Sequence, residues 1–253
     1  ILKLLVVKSS NHFRADFTPI ASRVLVAKAA GRASVTPGEI VTCKVDLAMF
    51  HDSSGPRRLK PMLEELKAQI WDKSKVVLVM DHYVPERDDA ARKIVRIARD
   101  WARDENLPHV YDSQGICHVV VPQHGHIRPG MFCVGGDSHS PTGGAFGAYM
   151  FGIGSTEMLG VVVTGEIWLR VPQTRRMDWR GELAPGVSAK DMILALIGKV
   201  GAQGGIGRAH GLGEAGRGLA GAGPRMTATP PVFAASYRQA RALFLEAAAQ
   251  AGL

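Results

Sequence analysis

The chain has 253 residues, enough to bury a substantial hydrophobic core as one large domain or two small ones. Its composition is that of an ordinary globular protein, with 46% hydrophobic and 21% charged residues, and no apolar run approaches the roughly 20 residues of a membrane span. The net charge of +8 could serve nucleic acid, but the basic residues are scattered and do not alternate with aromatics. A field that attracts small anionic substrates suits the pattern equally well, and we expect neither a nucleic acid nor a membrane partner.

The N-terminal segment, residues 1–19, is interpreted as a leader of uncertain structure. It begins ILKLLVVKSSNHF, an apolar stretch too short and too interrupted for a signal peptide. The chain has three widely spaced cysteines, Cys43, Cys117 and Cys133, and no CxxC pair. This pattern does not indicate a disulfide framework, so a reducing, cytoplasmic location is expected.

Strands and amphipathic helices alternate through the middle of the chain. Val- and Ile-rich runs bounded by turn residues predict strands over 40–47, 75–81, 116–121 and 131–136. Apolar residues at helical spacing predict helices over 56–70 and 87–103. This alternation is typical of an α/β fold, and we expect a three-layer α/β/α domain over 20–200 with a largely parallel sheet between helices.

The last part of the chain has a different character. Ser188 and Asp191 form a capping box ahead of the apolar run MILALIGK, which predicts a helix. Residues 201–231 are rich in glycine and are expected to form a poorly ordered linker. A C-terminal helix is predicted within 232–253.

Polar side chains gather near the ends of three of the predicted strands. They are Asp81 and His82 after KVVLVM, His118 within ICHVVV, and Asp137, Ser138 and His139 after MFCVGG. Ligands of open α/β sheets bind beyond the carboxyl ends of the strands, so we expect these side chains to approach one rim of the sheet.

Carboxylate and imidazole pairs suit proton transfer. A carboxylate beside an imidazole stabilises the protonated ring and fixes its tautomer, and a protonated ring can give its proton to a leaving hydroxyl near neutral pH. The glycines from Gly143 to Gly154 would let the backbone approach a ligand or let a helix pack closely on the sheet. Each feature alone also has a structural interpretation: Asp81 and His82 could be a turn, and His118 a core histidine.

Other familiar sites do not match the spacing of the sequence. In GGIGRAHG, His210 replaces the third glycine of a dinucleotide fingerprint, and GDSHS lacks the last glycine of a nucleophile elbow. There is no GxxxxGK[ST] phosphate loop in the chain. His124 and His126 could bind zinc, but no further ligands stand at a suitable spacing.

A series of motifs carries a resemblance to a known family. The motifs are IASRVLVAKAAGRASVTPGEIV, VDLAMFHD, VMDHYVP, YDSQGICHVVVPQ, GGDSHSPTGGAFGAYMFGIGSTE and IGKVGAQGG, in that order over about residues 20–205. Together they resemble the aconitase superfamily, most closely the large subunits of 3-isopropylmalate dehydratase and its homoaconitase-like relatives. The resemblance implies the first α/β/α part of that catalytic core.

The resemblance implies reversible dehydration of hydroxy-di- or tricarboxylic acids, in the case of 3-isopropylmalate dehydratase within leucine biosynthesis. In the family a [4Fe-4S] cluster with one open iron acts as a Lewis acid on the substrate. Matched by motif, Asp81 and His82 would be the catalytic pair that protonates the departing hydroxyl, and His118 and Asp137 would be a second catalytic pair.

Further features implied by the resemblance concern substrate and partner. Ser138 and His139 would contact a substrate carboxylate or the iron-bound water. The family's base, a serine on a swivelling domain or small subunit, has no matching segment in this sequence, so a small dehydratase subunit is the expected partner.

The cysteines depart from the family pattern. The family's cluster ligands are one cysteine alone and two in CxxC, and Cys43, Cys117 and Cys133 are not in those motifs. The tail, with His210 near an expected acid and RMTATPP as the start of a motif, looks truncated and diverged. Two interpretations follow: a hydro-lyase component that needs other chains for cluster and base, or a non-catalytic remnant that binds carboxylates.

Overall fold

The computed structural model of the protein describes residues 21–177, 184–201 and 208–212. The strands of this part are, in chain order, β1 (Ile40–Lys44), β2 (Leu47–His51), β3 (Val76–Met80), β4 (Val110–Asp112), β5 (Phe132–Gly135), β6 (Tyr149–Gly152), β7 (Glu166–Arg170), β8 (Gln173–Met177) and β9 (Arg208–Leu212). The helices are α1 (Ala21–Ala29), α2 (Pro56–Leu66), α3 (Asp89–Asp104), α4 (Cys117–Gln123), α5 (Ser155–Thr164) and α6 (Ala189–Val200).

A five-stranded parallel sheet organises the fold. Its strand order is β4-β3-β2-β5-β6, and each neighbouring pair is parallel. Every residue of β2 and β3 is buried, as expected for strands that are covered on both faces. The carboxyl ends of β3 and β5 lie on either side of β2, and the candidate site residues follow these ends.

The two faces of the sheet carry separate hydrophobic cores, which makes the structure three-layered. On one face, Phe50 and Leu78 pack with side chains of α2, α3 and α5, among them Trp101. On the other face, Met49 and Val79 pack with Cys117, Val121 and further residues of α4 and its surroundings. The expected α/β/α fold with a parallel sheet is therefore confirmed.

The segment 116–121, predicted as a strand, is a helix, and that prediction was wrong. α4 begins at Cys117, whose backbone N–H donates to the Asp81 carboxylate at 2.6 Å. Buried Cys117, Val120 and Val121 follow helical spacing, whereas Val119 is 39% exposed. The hydrogen bond from Cys117 to Asp81, which follows β3, and packing against the sheet override the strand preference of three consecutive valines.

The predicted strand 40–47 is divided in the structure. β1 pairs antiparallel with β7 in a separate two-stranded sheet, and the central β2 begins only at Leu47. The predicted bounds of β3, β5, α2 and α3 agree with the structure within a few residues. The predicted capping box is also present: α6 follows Ser188, whose backbone N–H donates to the Asp191 carboxylate at 2.7 Å.

Of the glycine-rich segment 201–231, the structure describes Gly201 and residues 208–212, and the latter form a strand. β9 pairs in parallel with β8, with Gln173 opposite Arg208. The predicted leader over 1–19 and the predicted C-terminal helix over 232–253 lie outside the described residues. Within the described residues, no helix has both the length and the apolar character to cross a bilayer.

Candidate active site

Asp137 lies at the centre of a cluster of imidazoles. It follows the end of β5 by two residues. Its Oδ1 accepts a hydrogen bond from His118 Nε2 at 2.6 Å and from the backbone N–H of His139 at 2.8 Å. Its Oδ2 lies 3.8 Å from His82 Nε2. One carboxylate therefore joins residues from α4, from the end of β3 and from the loop after β5.

The charge of Asp137 is stabilised by these contacts. Burial raises the pKa of this carboxyl, but the His139 amide and the His118 ring outweigh it, so the pKa lies below its ordinary value. Asp137 is thus ionised at neutral pH and acts as a hydrogen-bond acceptor only, which makes His118 Nε2 the donor.

Asp81 and His82 form the second acid–imidazole pair. His82 Nδ1 donates to Asp81 Oδ1 at 2.7 Å, and Asp81 Oδ2 accepts the N–H of Cys117 at 2.6 Å. The side chain of Asp81 is 5% exposed and that of His82 is 36% exposed. Asp81 consequently anchors the ring of His82 from the buried side and leaves its Nε2 on the side of Asp137.

Ser138 and His139 stand at the open rim of the cluster. Ser138 Oγ and His139 Nδ1 are 3.1 Å apart, and the His139 side chain is 79% exposed. His139 Nδ1 is also 3.4 Å from Asp137 Oδ1. These two side chains are accessible to a ligand, in contrast to Asp81 and Asp137.

His51 and Asp52 belong to the same cluster, and the sequence analysis missed them. The ring of His51 stacks on that of His82, with centroids 3.7 Å apart and planes 14° apart. His51 Nε2 donates to the Gly136 carbonyl at 3.1 Å, and Ser53 Oγ lies 3.0 Å from its Nδ1. The signal was present in VDLAMFHD, where an apolar run ends in a His-Asp dipeptide, as KVVLVM is followed by Asp81 and His82.

Asp52 is fully buried next to His51. Its Oδ2 accepts the N–H of Tyr83 at 2.8 Å, and its Oδ1 lies 3.7 Å from His51 Nδ1. Burial raises the pKa of Asp52, yet contacts with His51 and the Tyr83 amide outweigh burial and hold that pKa below its ordinary value. The site therefore has a second layer in which a buried carboxylate supports an imidazole.

Two glycines make this close arrangement possible. A Cβ on Gly152 would lie 2.5 Å from the backbone oxygen of Asp137, and one on Gly135 would lie 2.0 Å from Ser140 Oγ. The Asp137 loop thus packs directly on the backbone of β6. The glycine-rich stretch serves close packing of backbone segments at these two positions.

The zinc alternative receives no support from the geometry. Within the described residues, two groups of three or more candidate ligands come close together: His51, Asp52, Asp81 and His82, and His118, Asp137 and His139. His124 and His126 belong to neither group. His126 instead contacts the Tyr111 hydroxyl at 2.6 Å, and burial lowers the pKa of its ring to about 4.

The cysteines do not fit an iron–sulfur cluster. Cys43, Cys117 and Cys133 are fully buried, free thiols, and none belongs to a group of potential metal ligands among the described residues. Burial raises the pKa of all three thiols, that of Cys43 to about 11, whereas cluster ligands are thiolates. A cluster at this site would depend on thiolates other than these.

The fold and the site define a class of protein: a parallel α/β domain that gathers acid–imidazole pairs at the carboxyl edge of its sheet. Residues 23–227 match the profile of the aconitase family (aconitate hydratase). The chain belongs to the aconitase family, as its motifs predicted.

Curated relatives resemble this chain over about 71–74% of its residues. It is 42% identical over 181 residues to 3-isopropylmalate dehydratase large subunit 1 of Methanopyrus kandleri. It is 42% identical over 185 residues to the probable methanogen homoaconitase large subunit of Methanothermobacter thermautotrophicus, and 38% identical over 189 residues to the 3-isopropylmalate dehydratase large subunit of Desulfatibacillum aliphaticivorans. The aligned parts cover 71%, 71% and 74% of this chain and 43%, 43% and 45% of those relatives, so the chain spans less than half of their length.

Proposed function

We propose that this chain is the part of a hydro-lyase that binds a hydroxy-di- or tricarboxylic acid and protonates its departing hydroxyl. The observation that carries the proposal is the network in which Asp81 holds His82 and Asp137 holds His118, with Asp137 3.8 Å from His82 Nε2. Relatives named as 3-isopropylmalate dehydratase and homoaconitase large subunits support a substrate of this class.

His82 is the general acid of the proposal. Its Nδ1 is occupied by Asp81, so Nε2 carries the proton that is available for transfer. As the C–O bond breaks, the hydroxyl takes this proton together with the electron pair of the bond and leaves as water. The electron pair of the adjacent C–H bond forms the double bond, and the base that takes that proton lies outside these residues.

His118 and Asp137 have a supporting role next to this acid. His118 donates to Asp137, which fixes the ring orientation, and the Asp137 carboxylate lies 3.8 Å from His82 Nε2. We assign to exposed Ser138 and His139 the hydrogen bonds with a substrate carboxylate at the rim, which their accessibility supports. The arrangement therefore combines proton transfer with ligand binding on one edge of the sheet.

The remaining parts of the proposal concern the cluster and the partner. Because the thiols of this chain do not fit the family's [4Fe-4S] cluster, we assign its ligands to residues outside these 253. The relatives are named as large subunits, so we propose a small subunit as the partner and source of the base. Free thiols accord with a cytoplasmic location.

A reconstitution experiment tests the proposal. The chain is combined anaerobically with iron, sulfide, the small subunit, and the C-terminal remainder of the Methanopyrus kandleri large subunit as separate polypeptides. We expect dehydration of 3-isopropylmalate that requires all components and that His82→Ala abolishes. Turnover that survives His82→Ala would refute the assigned role of His82.

The alternative function is a non-catalytic module that binds carboxylates. The observation that favours it is that Cys43, Cys117 and Cys133 are buried and belong to no group of potential metal ligands among the described residues. Binding of 3-isopropylmalate without turnover in the complete mixture would favour this alternative. A stoichiometric cluster on the isolated chain, measured by iron content and visible absorption, would contradict it.

A further inference from the structure

A pocket of about 430 Å³ lies next to the histidine cluster. It is lined by residues from the end of β2, from the start of α2 and from the turn before α5, including His51, Ser53, Ser54, Arg57, Arg58 and Gly154. The assignments above leave it without a role. Because the pocket adjoins His82, a ligand that contacts His82 through one group could place another group in the pocket.

The charged groups on the pocket wall are both cationic. Arg57 and Arg58 lie in the first turn of α2 and are exposed. Neither forms an ion pair within the described residues, whereas Arg92, Arg99 and Arg103 of α3 all do. None of the residues that line the pocket is acidic. Two arginines that line one pocket and form no ion pair with described residues favour an anion, and a carboxylate matches the paired N–H donors of a guanidinium group.

Ser54 gives independent evidence for a polar ligand. Its Oγ is inaccessible to solvent and has no hydrogen-bond partner, although buried hydroxyls almost always have one. Gly136 lies directly beside Ser54, because a Cβ on this glycine would be only 2.6 Å from Ser54 Oγ. The backbone of Gly136 therefore packs against Ser54, whose hydroxyl donor stays unused in the wall of the pocket.

The N-terminus of α5 does not account for the preference of the pocket for an anion. A Glu157 carboxylate oxygen lies near Gly154, only 2.7 Å from where a Cβ on that glycine would be. The negatively charged carboxylate of Glu157 therefore opposes binding of an anion at the N-terminus of α5. The arginines and Ser54 are the groups that favour an anion.

The pocket and the proposed catalytic cluster share a wall. His51 lines the pocket and stacks on His82 at 3.7 Å, and Gly136, which also lines it, accepts the hydrogen bond of His51 Nε2. We propose that Arg57, Arg58 and Ser54 bind a carboxylate of the hydroxy acid whose hydroxyl is placed at His82. This inference rests on the proposed function for the identity of the ligand.

Nuclear magnetic resonance titration of the chain with 3-isopropylmalate tests this proposal. The signals followed are the Nε–Hε groups of arginine and the rings of His82 and His118. We expect Arg57→Gln and Arg58→Gln each to weaken binding about tenfold, the size of effect of a lost charge-assisted hydrogen bond. Glu157→Gln should tighten binding, because it removes the opposing charge beside Gly154.

Arg103→Gln is the matched control. It removes the same charge from α3, where Arg103 pairs with Asp100 and is 72% exposed, so it corrects for general electrostatic attraction. Thermal unfolding checks that each variant is folded. Equal affinity of the pocket variants and Arg103→Gln would overturn the proposal, and so would inorganic phosphate binding at the arginines as tightly as 3-isopropylmalate.

The titration also separates this proposal from the proposed function. Shifts at Arg57 and Arg58 without shifts at His82 or His118 would support a carboxylate pocket and contradict the catalytic assignment. Shifts at the histidines with unmoved arginines would support the catalytic assignment and overturn the pocket. Shifts at both, abolished together by the arginine variants, are the expected result.

Discussion

The imidazole rings of His51 and His82 are stacked, with centroids 3.7 Å apart and planes 14° apart. His51 is 4% exposed and is fixed by the Gly136 carbonyl and by Ser53. His82, in contrast, is bound through one ring nitrogen to Asp81. Asp81 holds the His82 ring at its edge, through Nδ1, and His51 covers one of its faces. The stack therefore restricts rotation of the His82 ring in addition to the hydrogen bond. The orientation of the proposed general acid depends on a residue from the neighbouring strand.

The first prediction concerns this stack. His51→Ala removes a buried ring and its hydrogen bonds, and we expect the free energy of unfolding to fall by about 2 kcal/mol. We also expect the ring signals of His82 to broaden or split, because the ring can rotate. Urea unfolding and nuclear magnetic resonance measure the two effects. His51→Phe should restore a sharp His82 signal, whereas an unchanged His82 signal in His51→Ala would contradict the positioning role.

The second prediction concerns the glycine beneath Asp137. A Cβ on Gly152 would lie 2.5 Å from the Asp137 carbonyl oxygen, a backbone atom that cannot move without displacing the loop. We expect Gly152→Ala to lower the free energy of unfolding by about 1–3 kcal/mol. Gly160→Ala is the control, since Gly160 is exposed within α5 with open space around its Cβ position. That change should stabilise the chain by up to about 1 kcal/mol, and a similar loss in both variants would contradict the packing argument.

Much of the fold could be predicted because its signals are local. β3 is a short apolar run between turn residues, and α3 places Ile94, Ala98 and Trp101 on one buried face at helical spacing. The boundaries of β2 could not be predicted in this way. All of its residues are buried in the middle of the sheet, so it lacks the alternation that marks a half-exposed strand.

The sequence indicated part of the residue cluster, but it missed His51 and Asp52 and did not show how the side chains are brought together. Asp81, His82 and Asp137 follow apolar strands, and that position alone places them at one edge of the sheet. The location of His118 depends instead on α4, which is set by the long-range contact of Asp81 with the Cys117 amide. A sequence of three valines favours a strand locally, and only the assembled sheet reverses that preference.

The third prediction concerns the thiols. Cys43, Cys117 and Cys133 are fully buried, and burial raises the pKa of each thiol, so little thiolate exists at pH 8. We expect all three to react with an aromatic disulfide reagent at least about tenfold more slowly in the folded chain than in urea. Absorbance of the released thiolate measures the rate. A thiol that reacts as fast in the folded chain as in urea would be accessible to solvent. That result would contradict the prediction and make this cysteine a candidate cluster ligand.

The fourth prediction is the pH dependence contributed by Asp137. Its folded-state pKa lies below the ordinary value of about 3.9, so its ionised form stabilises the folded chain above that pH. This contribution is lost as the pH falls through the folded-state pKa. The difference in free energy of unfolding between the natural chain and Asp137→Asn should therefore be largest near pH 7 and shrink below about pH 4. Asp89→Asn is the control, because the Asp89 side chain is 96% exposed and should give a small difference at every pH. Urea unfolding between about pH 3 and pH 7 measures both, and a difference for Asp137→Asn that does not shrink in acid would show that its charge is not what stabilises the site.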